Sequence, residues 1–171
     1  MPSKFKALLA WALCAILLPL PVLAGAAPKL AQITGARLKS SVPSSFYLEG
    51  NAIPVELYHA ALLQAGQRQF IIALLATSGY SSNIQQKYLG MIIAERGFRL
   101  NGARLAVGSY GFGFSKSKKQ LRIYNQAGAL VRVSKLRYDA KFPHPAPLKV
   151  VLGRAASARI YLGRYWVRLR R

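Results

Sequence analysis

Few side chains in this sequence can move a proton near neutral pH. Two histidines, His59 and His144, and four carboxylates, Glu49, Glu56, Glu95 and Asp139, are the whole supply. A Ser–His–acid triad would have to draw on them. No Gly-x-Ser-x-Gly elbow accompanies them, because Gly108-Ser109-Tyr110-Gly111 has the wrong spacing. His144 lies between Pro143 and Pro145, which reads as a stiff exposed turn. His59 falls at the end of a predicted strand, where a half-buried polar residue is the simplest reading. A small hydrolase using His59 or His144 is therefore a subsidiary expectation, and no catalytic residue, metal ligand or cofactor is assigned.

Two other local patterns point to chemistry that the chain lacks. Thr77-Ser78-Gly79 follows an apolar run, as the catalytic loop of aspartic proteases does, but Ala76 occupies the place of the acid. A polar turn with Gly79 at positive φ is expected instead. The glycine-rich stretch 108–113 lacks the Lys-Ser/Thr ending and the following helix of a phosphate loop.

The positive signal is charge. There are 25 Lys or Arg against 4 Asp or Glu, for a formal charge of +21, so most cations have no carboxylate to pair with. From Lys116 to Arg171 the chain carries 15 cations and one acid, Asp139. In the last segment Arg164, Trp166, Arg168 and Arg170 alternate with Tyr165, Val167 and Leu169. A strand there would bury the second set and expose the first. Arginine forks onto phosphate or carboxylate, and an exposed indole gives a sugar or base a ring to stack on. Lys116, Lys118 and Lys119 make a second cluster on a loop. These seven residues are the expected binding set, and its partner classes are anionic envelope polymer, anionic lipid or nucleic acid. Two plainer readings compete. Arginine stems can simply cover a tryptophan on a solvated face. In an acidic habitat lysine and arginine also keep the solubilising charge that carboxylates lose.

The elements that position these residues begin after a targeting segment. Residues 1–26 read as a signal peptide, with Lys4 and Lys6 ahead of the apolar run Ala7 to Leu23 and small residues from Ala24 to Ala27. Cleavage is expected after Ala24 or Ala26. Pro19 and Pro21 break the run, which is too short for a spanning helix of about 20 residues. No transmembrane segment is expected once it is removed. Cys14 sits in the middle of the run, not at its end, so lipidation is not expected. The mature chain then has no cysteine and must rely on an apolar core. Hydrophobic residues at 53 % make such a core affordable and exclude a disordered basic tail.

Residues 27–44 read as a linker or N-terminal arm, and residues 45–171 as one all-β domain, a sandwich or barrel of short antiparallel strands. Phe70 to Ala76 is a continuous apolar run suited to a buried strand. Pro54 should begin a strand or lie on an edge. Tyr88 to Glu95 is read as a strand, with a helix starting at Asn83 as the competing assignment. Asn101-Gly102 between Phe98-Arg99-Leu100 and Ala103-Arg104-Leu105 is the signature of a type I′ hairpin. In Gly108 to Phe114 the glycines alternate with Tyr110, Phe112 and Phe114. That puts three rings on one strand face and bare backbone on the other, where another segment can approach closely. The ring stripe is read as ordinary core, or alternatively as the lining of a β-barrel cavity for a small apolar ligand.

The segments T-S-G-Y-S-S at 77–82, I-Q-Q-K-Y at 84–88, G-S-Y-G-F-G-F at 108–114, P-A-P-L-K-V at 145–150 and Y-L-G-R-Y-W-V at 161–167 resemble those of a group of small secreted bacterial proteins with no assigned activity. The resemblance spans residues 46–169 and implies export and an independent domain. Ala76 stands where it implies an acidic residue. The sequence thus leads to an exported, non-enzymatic, strongly basic protein, periplasmic or extracellular, that binds polyanions.

Overall fold

The computed structural model describes residues 29–154 and 156–170. The expected signal peptide lies outside the described residues. Among the described residues no helix is long and apolar enough to cross a membrane.

The seven-residue apolar run lies in strand β4 (Arg68–Leu75), which is buried on both faces. Phe70, Ile72 and Leu74 enter one core, and Ile71, Ala73 and Leu75 enter another. Central strands covered on both sides read as continuous hydrophobic runs for this reason. The flanking strands are β3 (Asn51–Ala65) and β5 (Gly90–Ala94), both antiparallel to β4. The sheet continues through β8 (Gly108–Ser115), β9 (Gln120–Tyr124) and β10 (Leu130–Lys135). At the other edge, β1 (Ala31–Ile33) and β2 (Ser45–Leu48) both pair with β3. A short helix, α1 (Gly35–Ser41), follows β1.

The second sheet holds β12 (Lys149–Leu152), β13 (Ser157–Leu162), β14 (Tyr165–Arg170), β6 (Phe98–Leu100) and β7 (Ala103–Leu105) in that order. Strand β11 (Arg137–Tyr138) pairs with β14. The two antiparallel sheets pack face to face as an all-β sandwich. Phe112, Ile92 and Ile72 from the first sheet meet Ile160, Val167 and Leu100 from the second in the main core. The smaller core lies on the outer face of the first sheet.

The competition between helix and strand before Glu95 resolves into both elements. Helix α2 (Ser82–Lys87) is capped by Ser81, whose hydroxyl accepts the Ile84 N–H at 3.5 Å, and β5 follows from Gly90. Gly90 is required there. A Cβ would lie 2.3 Å from the Ala73 carbonyl oxygen and 2.4 Å from the Phe112 ring. Asn101 and Gly102 take φ of +48° and +91°, as a type I′ turn demands, and Gly79 sits at +93° in its polar turn.

Tyr110 and Phe112 are buried in the main core, with Phe114 packed against it. The bare side of β8 takes up the end of α2. A Cβ on Gly111 would lie 2.7 Å from the Tyr88 ring, and one on Gly113 would lie 2.1 Å from the Lys87 carbonyl oxygen.

Candidate anion-binding face

The outer face of the second sheet is built from alternate residues whose neighbours are core. In β14, Val167 and Leu169 are buried inward, so Arg168 and Arg170 project outward. In β13, Ala158 and Ile160 point inward and Arg159 outward; in β6, Phe98 and Leu100 point inward and Arg99 outward. The strand register brings these arginines into line. Arg159 is directly opposite Arg168, Arg170 opposite Arg99, and Arg99 opposite Arg104.

The hairpin tip locks this arrangement. The Asn101 side-chain oxygen accepts the Arg168 N–H at 2.9 Å, and the Asn101 N–H donates to the Arg168 carbonyl at 2.8 Å. The Asn101 amide donates to the Lys135 carbonyl at 2.5 Å, which brings the end of β10 alongside. The result is an open groove of about 800 Å³ lined by Arg99, Lys135, Arg137, Arg168 and Arg170, with Trp166, Leu136, Asn101 and Gly102 between them. A second groove of about 310 Å³ is lined by Arg96, Gly97, Phe98, Arg99 and Arg104 and shares Arg99 with the first. No carboxylate lines either groove.

The four acids are occupied elsewhere. The Glu49 carboxylate pairs with the Lys87 ammonium and accepts the Tyr88 hydroxyl at 2.6 Å. Those two donors hold its pKa below the ordinary carboxylate value, whereas burial and the same bond push the Tyr88 phenol up. Glu95 accepts the Gln69 N–H at 2.8 Å, and Asp139 accepts the Tyr161 hydroxyl at 3.2 Å. Glu56 Oε2 lies 2.8 Å from His59 Nδ1 in the irregular stretch of β3, with both side chains more than a third exposed. Neither histidine lines any of the grooves described here.

The predicted binding set divides. Arg168, Arg170 and Trp166 line the larger groove, but Trp166 is not the exposed ring expected from the alternation. It is only 7 % exposed. The guanidinium carbons of Arg159 and Arg137 stand 4.7 Å and 5.5 Å from its ring centroid, and Tyr161 and Phe142 pack beside it. A large ring on an outer sheet face buries apolar area when arginine stems lie across it, and that gain outweighs free exposure. Arg164 precedes β14 and does not line the groove of Arg168 and Arg170. It donates to the carbonyls of Ala140 and Phe142. Lys116 and Lys119 line a different cleft together with Arg164. Lys118 is exposed on the same turn and lines none of these grooves.

Sequence reasoning missed Arg99, Arg104, Arg137, Arg159 and Lys135. The alternations Phe98-Arg99-Leu100 and Ala158-Arg159-Ile160 carried a signal for two of them. The pairing that aligns them with Arg168 and Arg170 is tertiary. No family model, no curated protein and no solved structure matches this chain.

Proposed function

We propose that this chain is an exported, non-enzymatic protein that binds a linear anionic polymer of the cell envelope along the outer face of its second sheet. The observation that carries the reading is the register of the arginines. Like charges directly opposite one another on a sheet destabilise it, yet Arg159 faces Arg168 and Arg99 lies between Arg170 and Arg104. Solubility in an acidic medium calls for many cations but gives no reason to align them, whereas an anionic ligand turns their repulsion into binding energy. The two grooves share Arg99 as a lining residue, which suits an extended chain better than a single small anion. Trp166 is covered by guanidinium groups, so the larger groove offers no open indole for base stacking. That favours an acidic polysaccharide or polyphosphate over single-stranded nucleic acid. Residues 1–26 and the resemblance to small secreted bacterial proteins support export.

The test is elution from immobilised heparin in a salt gradient. Arg168→Gln with Arg170→Gln should elute at clearly lower salt with an unchanged far-UV spectrum. Arg37→Gln with Lys39→Gln, which removes the same charge from helix α1, should elute with the parent protein. Equal shifts for both pairs would mean diffuse basicity and would overturn the reading, as would retention insensitive to salt.

A further inference from the structure

The geometry points to a second site, for a single-chain anionic amphiphile such as a long-chain fatty acid, at the open end of the sandwich. An open cleft of about 630 Å³ lies there, lined by residues of both sheets. Leu74 and Phe114 line it from the first sheet, Leu89 from the bend just before β5, and Leu162 and Tyr165 from the second sheet. Leu74 and Leu162 belong to the main core, and Leu89, Phe114 and Tyr165 are only partly buried against it. The cleft is therefore where the core itself reaches the surface. Its volume lies within the range of about 300–1,000 Å³ typical of small-ligand sites.

Aromatic rings form one wall. Tyr165 lies 5.4 Å from Phe114 and 5.0 Å from Tyr138, centroid to centroid, and Tyr138 is 55 % exposed. Pro145 and Pro147 line the cleft from the 143–147 loop. The charged groups lining the cleft are of one sign. Lys116, Lys119 and Arg164 line it, and no carboxylate does. The turn that carries the two lysines is held by backbone bonds. The Lys119 N–H donates to the Lys116 carbonyl at 3.2 Å, and the Leu136 N–H to the Lys119 carbonyl at 2.8 Å. Arg164 is held by its donation to the Phe142 carbonyl at 3.1 Å, and a guanidinium has further N–H groups to offer.

An apolar interior with a purely cationic lining matches an acyl chain carrying a carboxylate. A neutral apolar ligand would leave the three cations without a role. A short anion would leave the leucines and rings in contact with water. The occupant that satisfies both parts lays its chain against Leu89, Phe114 and Tyr165 and its head group at Lys116 and Lys119. This site is separate from the arginine face, and it stands whether or not that face binds a polymer.

Titration calorimetry with dodecanoate below its micelle concentration tests the assignment on the purified protein. Saturable binding near one equivalent is expected. Dodecanol and acetate, each lacking one half of the ligand, should bind at least tenfold more weakly. Lys116→Gln with Lys119→Gln, both on an exposed turn, should weaken dodecanoate about tenfold. Leu89→Trp should fill the cleft and abolish binding while heparin retention and the far-UV spectrum stay as in the parent. Absence of saturable binding, dodecanol binding as tightly as dodecanoate, or indifference to the lysine pair would overturn the proposal. So would weakening by Arg168→Gln with Arg170→Gln, which would place the ligand on the arginine face.

Discussion

Arg159 of β13 and Arg168 of β14 are cross-strand partners on the outer face of the second sheet. Each has its inward neighbours in the core, so neither strand can turn its arginine away without exposing Ala158, Ile160, Val167 or Leu169. Replacing Arg168 with Thr, a good strand residue, removes the like-charge pair and keeps the backbone bonds to Asn101. It should raise stability by about 0.2–1 kcal/mol in low salt and reduce heparin retention together. The stability gain should shrink as salt screens the repulsion. Denaturant melts and heparin elution check both halves. A less stable variant, or one retained as strongly as the parent, contradicts the account.

Trp166 reports on the same face. Its ring lies beneath the Arg159 and Arg137 guanidinium groups, and its indole is almost entirely covered. Arg159→Ala should uncover it. Its emission should shift to the red and become more accessible to iodide, with little change in the far-UV spectrum. Trp11 is the other tryptophan of the chain, and the difference between variant and parent isolates Trp166. An unchanged spectrum would mean that Arg159 does not shield the ring.

The bare side of β8 sets a steric requirement. A methyl group at Gly113 would meet the Lys87 carbonyl oxygen at 2.1 Å, and backbone on that side has no rotamer to yield. One at Gly111 would meet the Tyr88 ring at 2.7 Å and a Leu48 methyl at 2.9 Å, a smaller overlap and with side-chain atoms only. Gly113→Ala should therefore destabilise by about 3 kcal/mol, at the upper end of overpacking effects, and Gly111→Ala by less. Thermal melts of the two variants give the order directly, and the reverse order would contradict the packing of α2 on this strand.

These features differ in how far they could be read from residues alone. The buried run of β4, the Asn101-Gly102 turn and the alternation of glycine with Tyr110 and Phe112 are local patterns with local causes, and all three were legible. Helix α2 was less so, because Ile84, Tyr88 and Met91 recur at helical spacing although the helix ends at Lys87. What fixes it is the slot that Gly111 and Gly113 leave for Tyr88 and the Lys87 carbonyl. Pro54 lies inside β3, not at its start. Its missing N–H is tolerated because Ser45, its partner, is the first residue of β2. The arginine face was half legible: period two showed which arginines point outward, but not which ones stand together. Register depends on the turn at Asn101-Gly102 and on how β14 adds to β6, and neither follows from the last segment of the chain. A cover of arginine stems over Trp166 was one of the readings open from residues alone, but not which arginines supply it, since Arg137 and Arg159 reach the ring from other strands.

Glu49 ties acid stability to the smaller core. It occupies the tight turn between β2 and β3 at φ +49°, followed by Gly50 at +77°. Lys87 and then Tyr88, both donating to its carboxylate, lower its pKa from the ordinary 4.5 in the folded state. The unfolded chain therefore binds this proton more tightly. The stabilisation is complete above pH 4.5 and is lost as pH falls through the lowered folded value. Glu49→Gln keeps an acceptor for the tyrosine but removes the charge facing Lys87. It should destabilise by about 1.5–3 kcal/mol at pH 7, the range for hydrogen bonds to charged groups. The gap between parent and variant should close as pH is taken well below 4.5, because the parent's carboxyl is then neutral as well. Tyr88 acts at the other limit. Its raised pKa means that stability is lost as pH climbs beyond the ordinary phenol value of 10.0. Urea melts from acid to neutral pH measure the first effect, and a gap that stays constant across that range would show that Glu49 is not charged against Lys87 in the folded protein.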